Sequence, residues 1–263
     1  MLYAEMKFTG ANRELHSKFA AAIDNPAWKA VEFLNSLLNE KGEVNIDGFY
    51  DDVRQPLPEE LIAMNEIPYN ESEMLKGYGV KFFRKGRFGD NYFYNMMFEP
   101  TCNIDGIYSG YCGEGSKTTL PNKAVVKVDF RLVPDQSPEK IEELLKKHLH
   151  KHGFNDVELK VLNKIRSCRV PVNHPFVKVI SEAISEVWKD KPLIYPSIGG
   201  SGPNYIFTEH LGVECITVPI AAADQNNHGP DESLILKGYY NGIKISGEII
   251  KRISEVFMPC SAE

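Results

Sequence analysis

Apolar and polar residues alternate without a break over residues 2–9, with Leu2, Ala4, Met6 and Phe8 on one face and Tyr3, Glu5, Lys7 and Thr9 on the other. That period belongs to a half-buried strand. Asn25-Pro26 then supplies an N-cap with proline at the first helical position, opening a helix that runs to about Glu40 with Ala27, Val31, Leu34 and Leu38 on its buried stripe. Residues 103–108 read as a second strand ending in Ser109-Gly110. Beyond a glycine-rich stretch, Ala124, Val126, Val128, Phe130 and Leu132 alternate with Lys123, Lys127, Asp129 and Arg131 as a third strand. Ser137-Pro138 caps a helix to about His152 with Ile141, Leu144, Leu145 and Leu149 on one stripe, and Val157, Leu159 and Val161 form a fourth strand. Strand, helix, strand, strand, helix, strand is the order of a split βαβ sandwich, an antiparallel sheet with two helices on one face. The span 41–100, rich in Pro, Gly, Asp and aromatics and including Gly86-Arg87-Phe88-Gly89-Asp90, reads as an insertion with a short helix over Glu59 to Asn65.

After a return linker at Arg166 to Asn173 the pattern changes. A helix over His174 to Asp190 is expected to bury Phe176, Ile180, Ile184 and Val187, and a strand follows near Leu193 to Tyr195. Then come the turn Gly199-Gly200-Ser201, a helix to Leu211, a strand at Val213 to Val218 and a final helix over Leu234 to Phe257. Such alternation predicts a mostly parallel sheet, with binding loops at strand carboxyl ends, where Ser197 to Ser201 and Pro219 to His228 lie. The predicted class is therefore α/β: an α+β sandwich over residues 1–168, carrying the insertion 41–100, followed by part of a mostly parallel α/β domain over 169–263. No internal repeat or low-complexity tract interrupts this division.

Composition narrows the function. The 263 residues are 43% hydrophobic, enough for buried cores, and the net charge of −6 without a Lys/Arg cluster argues against a nucleic-acid partner. The five cysteines are scattered and form no C-x-x-C pair, so neither a disulfide framework nor a thiolate zinc knuckle is indicated. A strand opens the chain where a charged leader with an apolar core would stand, and no later run is long enough to span a bilayer. A cytoplasmic protein without a membrane partner is the expectation.

Two features near the end of the chain carry candidate chemistry. Glycines ahead of a helix let unpaired backbone N–H groups point at a carboxylate or phosphate, as Gly199, Gly200 and Ser201 could. Taken alone, they read equally as a plain turn. His228, in a polar loop with Asp224 and Asp231-Glu232, is the kind of side chain a borderline metal takes through a neutral nitrogen, and equally an ordinary exposed histidine.

Together and in this order, Gly199-Gly200-Ser201, a strand ending in proline, Asp224 and His228-Gly229-Pro230-Asp231-Glu232 resemble the closing segment of the co-catalytic di-zinc peptidase family. That family comprises carnosinase-type dipeptidases, aminoacylase, glutamate carboxypeptidase and succinyl-diaminopimelate desuccinylase. The sandwich is similar to its lid, or dimerisation, domain. Glu14-Leu15-His16-Ser17 resembles a D-L-H-S-G motif whose histidine reaches across a homodimer to hydrogen bond the developing oxyanion, although Lys18 replaces the glycine. Thr118, in Gly113-Glu114-Gly115-Ser116-Lys117-Thr118, is similar to a threonine that assists it. Arg131, in Phe130-Arg131-Leu132-Val133-Pro134, is similar to the arginine that grips the substrate carboxylate, a role suited to a guanidinium.

The resemblance further implies that Gly200 and Ser201 contact that carboxylate and that His228 is the last ligand of two zinc ions, with Asp231-Glu232 supporting it. The substrate would be a small peptide or N-acyl amino acid. The remaining ligands of such a site lie, in the family, in H-x-D and Glu-Glu motifs ahead of the lid. Neither occurs before Tyr3, and Glu59-Glu60 and Glu142-Glu143 read as solvated helix faces. The expectation is thus a lid plus the carboxyl-terminal part of a catalytic domain, inactive alone, whose amino-terminal half comes from a missing segment or a separate chain. The rival reading is a non-catalytic dimer-forming module that binds a small carboxylate.

Overall fold

The structure, a computed structural model, describes residues 1–84, 91–222 and 224–257; the Gly86 to Asp90 stretch lies outside the described residues. Two compact units are present. The first comprises residues 1–56, 70–168 and 197–212, and the second 57–69, 169–196 and 213–263.

In the first unit the alternation of β1 (Leu2–Thr9) is realised side chain by side chain: Leu2, Ala4, Met6 and Phe8 are all buried. Next come a two-residue strand β2 (Leu15–His16), a 3₁₀ turn at Ser17–Ala21 and helix α1 (Pro26–Ser36). Asn25 Oδ1 accepts the Ala27 N–H at 2.9 Å, so the cap and the proline set the start of α1 as expected. The helix ends at Ser36, short of Glu40, because the chain reverses there: the Leu37 N–H closes on Leu34 O at 3.2 Å and Asn45 N–H returns to Leu37 O at 2.7 Å. Its buried stripe is Ala30, Phe33 and Leu37; Val31 is exposed and Ala27, Leu34 and Leu38 are half-buried. The expected stripe was rotated on the helix: Phe33 is fully buried against the sheet, while the larger Trp28 is left exposed.

The span 41–100 contains α2 (Pro58–Asn65), α3 (Glu71–Tyr78) and α4 (Tyr92–Phe98), of which only the first was expected. Short caps explain the other two: Asn70 and Asn91 each accept a backbone N–H from the residue three positions on. The sheet is completed by β3 (Thr101–Ser109), β5 (Lys123–Arg131) and β6 (Glu158–Lys164), with a small β4 (Thr119–Leu120) between β3 and β5, and α5 (Pro138–Lys151) ahead of β6. Strand order is β3-β5-β1-β6, antiparallel throughout.

Register aligns the buried faces. Leu2 stands opposite Phe130, Ala4 opposite Val128, Met6 opposite Val126 and Phe8 opposite Ala124. Helices α1 and α5 cover that face with Phe33, Ile141, Leu145 and Leu149. Phe8, Phe33 and Phe154 close an aromatic trio with ring centroids 5.7–6.1 Å apart. The predicted two-layer sandwich is therefore the observed one.

The first unit also holds α7 (Asn204–His210). The second unit packs α6 (Pro175–Trp188) against α8 (Leu236–Phe257), with Val179, Ala183 and Ile245 buried. Phe176, Ile180, Ile184 and Val187, expected to be buried, are only half-covered. The parallel sheet predicted for 169–263 does not form among the described residues: 193–195 and 213–218 enter no strand ladder. A strand needs a neighbour to take its N–H and C=O groups, and apolar alternation without one leaves extended chain. Nor is Glu60 a solvated helix residue. Its carboxylate is buried against Arg169, Oε1 to Nη1 at 2.9 Å, and accepts the Leu57 N–H at 2.8 Å. Glu142 is likewise half-covered between Lys146 and Lys164.

Candidate functional site

The short ribbon of β2 and β4 brings together two residues more than a hundred positions apart. Leu15 pairs with Leu120 and His16 with Thr119, the Ser17 N–H donates to Thr118 O at 3.2 Å, and Thr119 Oγ1 donates to Leu15 O at 3.3 Å. Lys117 Nζ lies 2.5 Å from Glu14 Oε2, an ion pair across the ribbon's entry. His16 and Thr118 are thus neighbours, both exposed. Lys18 sits comfortably where the resembled motif has glycine: its φ is not positive, and its N–H donates to His16 Nδ1 at 3.1 Å.

Arg131 ends β5 on the face away from the helices. Its Nη1 donates to Ser201 Oγ at 3.0 Å, joining the glycine turn to the sheet within the first unit. Its Nε lies 2.7 Å from Oδ1 of Asp129, two residues earlier on the same face. Gly200 and Ser201 are exposed, and a Cβ on Gly199 would stand 3.4 Å from the Met96 carbonyl, so the turn rides on α4. Helix α7 starts only at Asn204, with Pro203 before it giving no side-chain cap. What meets the guanidinium is therefore the Ser201 hydroxyl, not the first turn of a helix. Because Ser201 Oγ accepts from Arg131, its own O–H is free to donate, and hydroxyl plus guanidinium form a set of donors matched to a carboxylate.

His228 lies in the second unit, exposed, in a loop with left-handed backbone at three non-glycine residues: Asn226 (φ 60°), His228 (φ 62°) and Asp231 (φ 58°). The loop is tied by Gly229 N–H to Asn226 O at 2.8 Å and by Ser233 N–H to Gln225 O at 2.9 Å. Repeated αL residues outside glycine mark a backbone held by its surroundings. The donor set does not make a metal site by itself. Among the described residues no three His, Cys, Asp or Glu side chains are grouped so as to hold an ion. A single imidazole leaves a zinc ion without the ligand number it requires.

Several residues of this chemistry escaped the pattern reading. Asp129 was visible only as a polar strand position, yet it is 5% exposed. Asn103, opposite it on β3, and the nearby Asp105 were read only as strand residues, and no local pattern marks them as its neighbours.

An antiparallel four-stranded sheet backed by two helices, with a β2/β4 ribbon presenting a histidine and a threonine, makes the first unit a two-layer α+β sandwich. Residues 3–157 match M20_dimer, the Peptidase dimerisation domain, and the chain belongs to that family. It is similar to the Cys-Gly metallodipeptidase DUG1 of Saccharomyces cerevisiae, 26% identical over 96% of this chain and 54% of the relative. It is also similar to the Beta-Ala-His dipeptidase of Rattus norvegicus, at 22% identity over 93% of this chain and 51% of the relative. Among solved structures, the M20 family metallo-carboxypeptidase Sso-CP2 from Sulfolobus solfataricus aligns with a TM-score of 0.90 at 34% identity, covering 97% of this chain and 58% of that one. The chain thus spans about half the length of the curated relatives it matches. These relatives are peptidases. No helix among the described residues is long and apolar enough to cross a membrane.

Proposed function

We propose that this chain is the lid and carboxyl-terminal portion of a metal-dependent peptidase or deacylase that cleaves an amide bond in a dipeptide or N-acyl amino acid. The observation that carries the reading is the 3.0 Å bond from Arg131 Nη1 to Ser201 Oγ, which joins two residues that the family resemblance assigns to the substrate carboxylate. Arg131, Gly200 and Ser201 hold the substrate's carboxylate. His16, assisted by Thr118, presents a donor to the oxyanion that forms at the scissile carbonyl of a partner protomer's substrate. The dimer is supported by the family match and by β3, an edge strand with Ile104, Ile107 and Tyr108 exposed.

His228 contributes one ligand to a zinc pair whose other ligands are not grouped with it among the described residues, so no step is assigned to metal here. Segments 193–195 and 213–218, which enter no strand ladder among the described residues, fit the same reading: they become strands when neighbouring strands are supplied. The test is co-expression with a polypeptide carrying H-x-D and Glu-Glu motifs, followed by zinc analysis and assay of Cys-Gly and β-Ala-His cleavage. Zinc uptake and turnover that both vanish in His228→Ala support the reading; a zinc-free, inactive complex refutes it.

A second reading, a dimer-forming module that binds a small carboxylate without turnover, is favoured by one fact. The Arg131–Ser201 pair is complete inside a single unit, whereas no metal-ligand group is assembled among the described residues. Binding of N-acyl amino acids that is indifferent to zinc, in a complex without turnover, selects it.

A further inference from the structure

Strand β3 departs from regular pairing at one place. Ile104 stands opposite Val128 and Gly106 opposite Lys127, so Asp105 is an extra, bulged residue. A bulge re-aims a side chain, and this one places the Asp105 carboxyl on the amide of Asn103, which also reaches Asp129. Asn103 Nδ2 bridges the two, donating to Asp105 Oδ1 at 2.9 Å and to Asp129 Oδ2 at 3.2 Å. On its other side Asp129 faces Arg131, with Nε 2.7 Å from a buried Oδ1, a close ion pair whose angles fall short of a hydrogen bond. That oxygen keeps a lone pair for another donor.

We propose that Asp129 is a positioning residue that fixes the guanidinium of Arg131, and that Asp105, bulged from β3, braces Asp129 through the Asn103 amide that both carboxylates share. This rests on the reading of Arg131 as the carboxylate anchor. A guanidinium presents two usable edges. With Nε drawn to Asp129 and Nη1 placed on Ser201, the Nη1–Nη2 end is directed outward, the edge a bidentate carboxylate needs. Without Asp129, the long arginine side chain, 41% exposed, would sample many rotamers, and binding would have to order it. Two adjacent carboxylates repel unless a proton or a cation intervenes. Burial and the neighbouring Asp129 charge both hold the Asp105 carboxyl above its usual range, and the Asn103 amide between them eases the repulsion.

The test is an NMR titration of the full chain with two probes that differ only in charge, N-acetylglycine and N-acetylglycinamide. The wild type is expected to prefer the carboxylate by about tenfold or more, and Arg131→Lys to abolish the preference. Asp129→Asn should cut the preference to about threefold or less while leaving amide affinity unchanged. Asp105→Asn, which keeps an oxygen to accept from Asn103, should keep the preference, and Asp105→Ala should lose part of it. A merely structural role would weaken both probes alike.

Full preference in a folded Asp129→Asn overturns the positioning role and leaves the anchor standing, provided Arg131→Lys has lost it. No preference in the wild type overturns the anchor and this inference with it. Should Asp129→Asn fail to fold, Asp105→Ala and Asn103→Ala, both at exposed positions, decide: an unchanged preference in both refutes the brace, and a reduced one supports it.

Discussion

The Lys18 N–H donates to Nδ1 of His16 at 3.1 Å, which fixes the proton of the neutral imidazole on Nε2. The ring is exposed, so that Nε2–H is available to a group outside the unit. A donor held in place by its own backbone needs no reorganisation when charge develops in front of it.

If His16 serves as an oxyanion donor, His16→Ala in the reconstituted enzyme should lower kcat by roughly 10²–10³ with little change in KM, the pattern of an interaction made only in the transition state. Mixing His16→Ala with a subunit inactivated at His228 separates cis from trans action. Because each site borrows the other protomer's histidine, half of the sites in the mixed dimer would have both defects and half neither, so activity should return on mixing. Equal KM and kcat effects, or no recovery, would count against the role.

The sandwich was legible because β1 and β5 bury every second residue and because Asn25-Pro26 and Ser137-Pro138 punctuate the helices. His16, Thr118, Arg131 and Ser201 were legible through motif likeness, and the structure pairs them two by two. What the pattern hid has physical causes. Asp129 and Glu60 are charged residues that a sequence places on the surface, and only their partners, Arg131 and Arg169, make burial tolerable. The expected strands at 193–195 and 213–218 have the right alternation but no ladder neighbour, which no local window reveals. Helices α3 and α4 are short, and their asparagine caps are a weaker sign than proline.

Cys102 and Cys112 should differ sharply toward alkylating agents. Burial, with the Asp129 charge behind it, pushes the Cys102 thiol up to about 12, whereas Cys112 is exposed. Only thiolate reacts, so iodoacetamide at pH 8 should modify Cys112 and spare Cys102 in the folded chain, and both should react in denaturant. Peptide mass mapping reads the outcome directly, and early labelling of Cys102 would show that the β3 end of the sheet opens readily.

His148 makes stability depend on pH in a defined window. It is 3% exposed on α5, its Nε2 lies 2.9 Å from Ser36 Oγ, and the Ser36 hydroxyl donates to Phe33 O, so the imidazole is the donor and sits neutral. Burial first, then the neighbouring His152 and Lys151 charges, lower its pKa from 6.5 to about 4, against a smaller opposing pull from Asp47. Between those values the unfolded chain binds a proton that the folded chain refuses. Stability is therefore intact above pH 6.5 and falls as pH drops toward 4, by up to about 1.4 kcal/mol per pH unit. Urea titrations at pH 7, 6 and 5 should show that slope in the wild type and a shallower one in His148→Gln.

The Glu60–Arg169 pair anchors α2 to the start of the second unit's long segment, and both side chains are nearly sealed from water at 2% and 7% exposure. Glu60 also receives the Leu57 N–H at the helix start, so it is at once a cap and a counter-ion. Removing either partner strands a buried charge, and Glu60→Gln or Arg169→Met should each cost about 3–5 kcal/mol. The double variant should cost less than either alone, because it leaves no uncompensated ion and the glutamine oxygen can still accept the Leu57 N–H. Hydrogen exchange localises the effect: amides of α2 should lose protection in the single variants and regain it in the double, while β1 and β5 in the other unit stay unchanged. Additive losses would mean that the two side chains act separately and that α2 is held by its apolar contacts through Met64 instead.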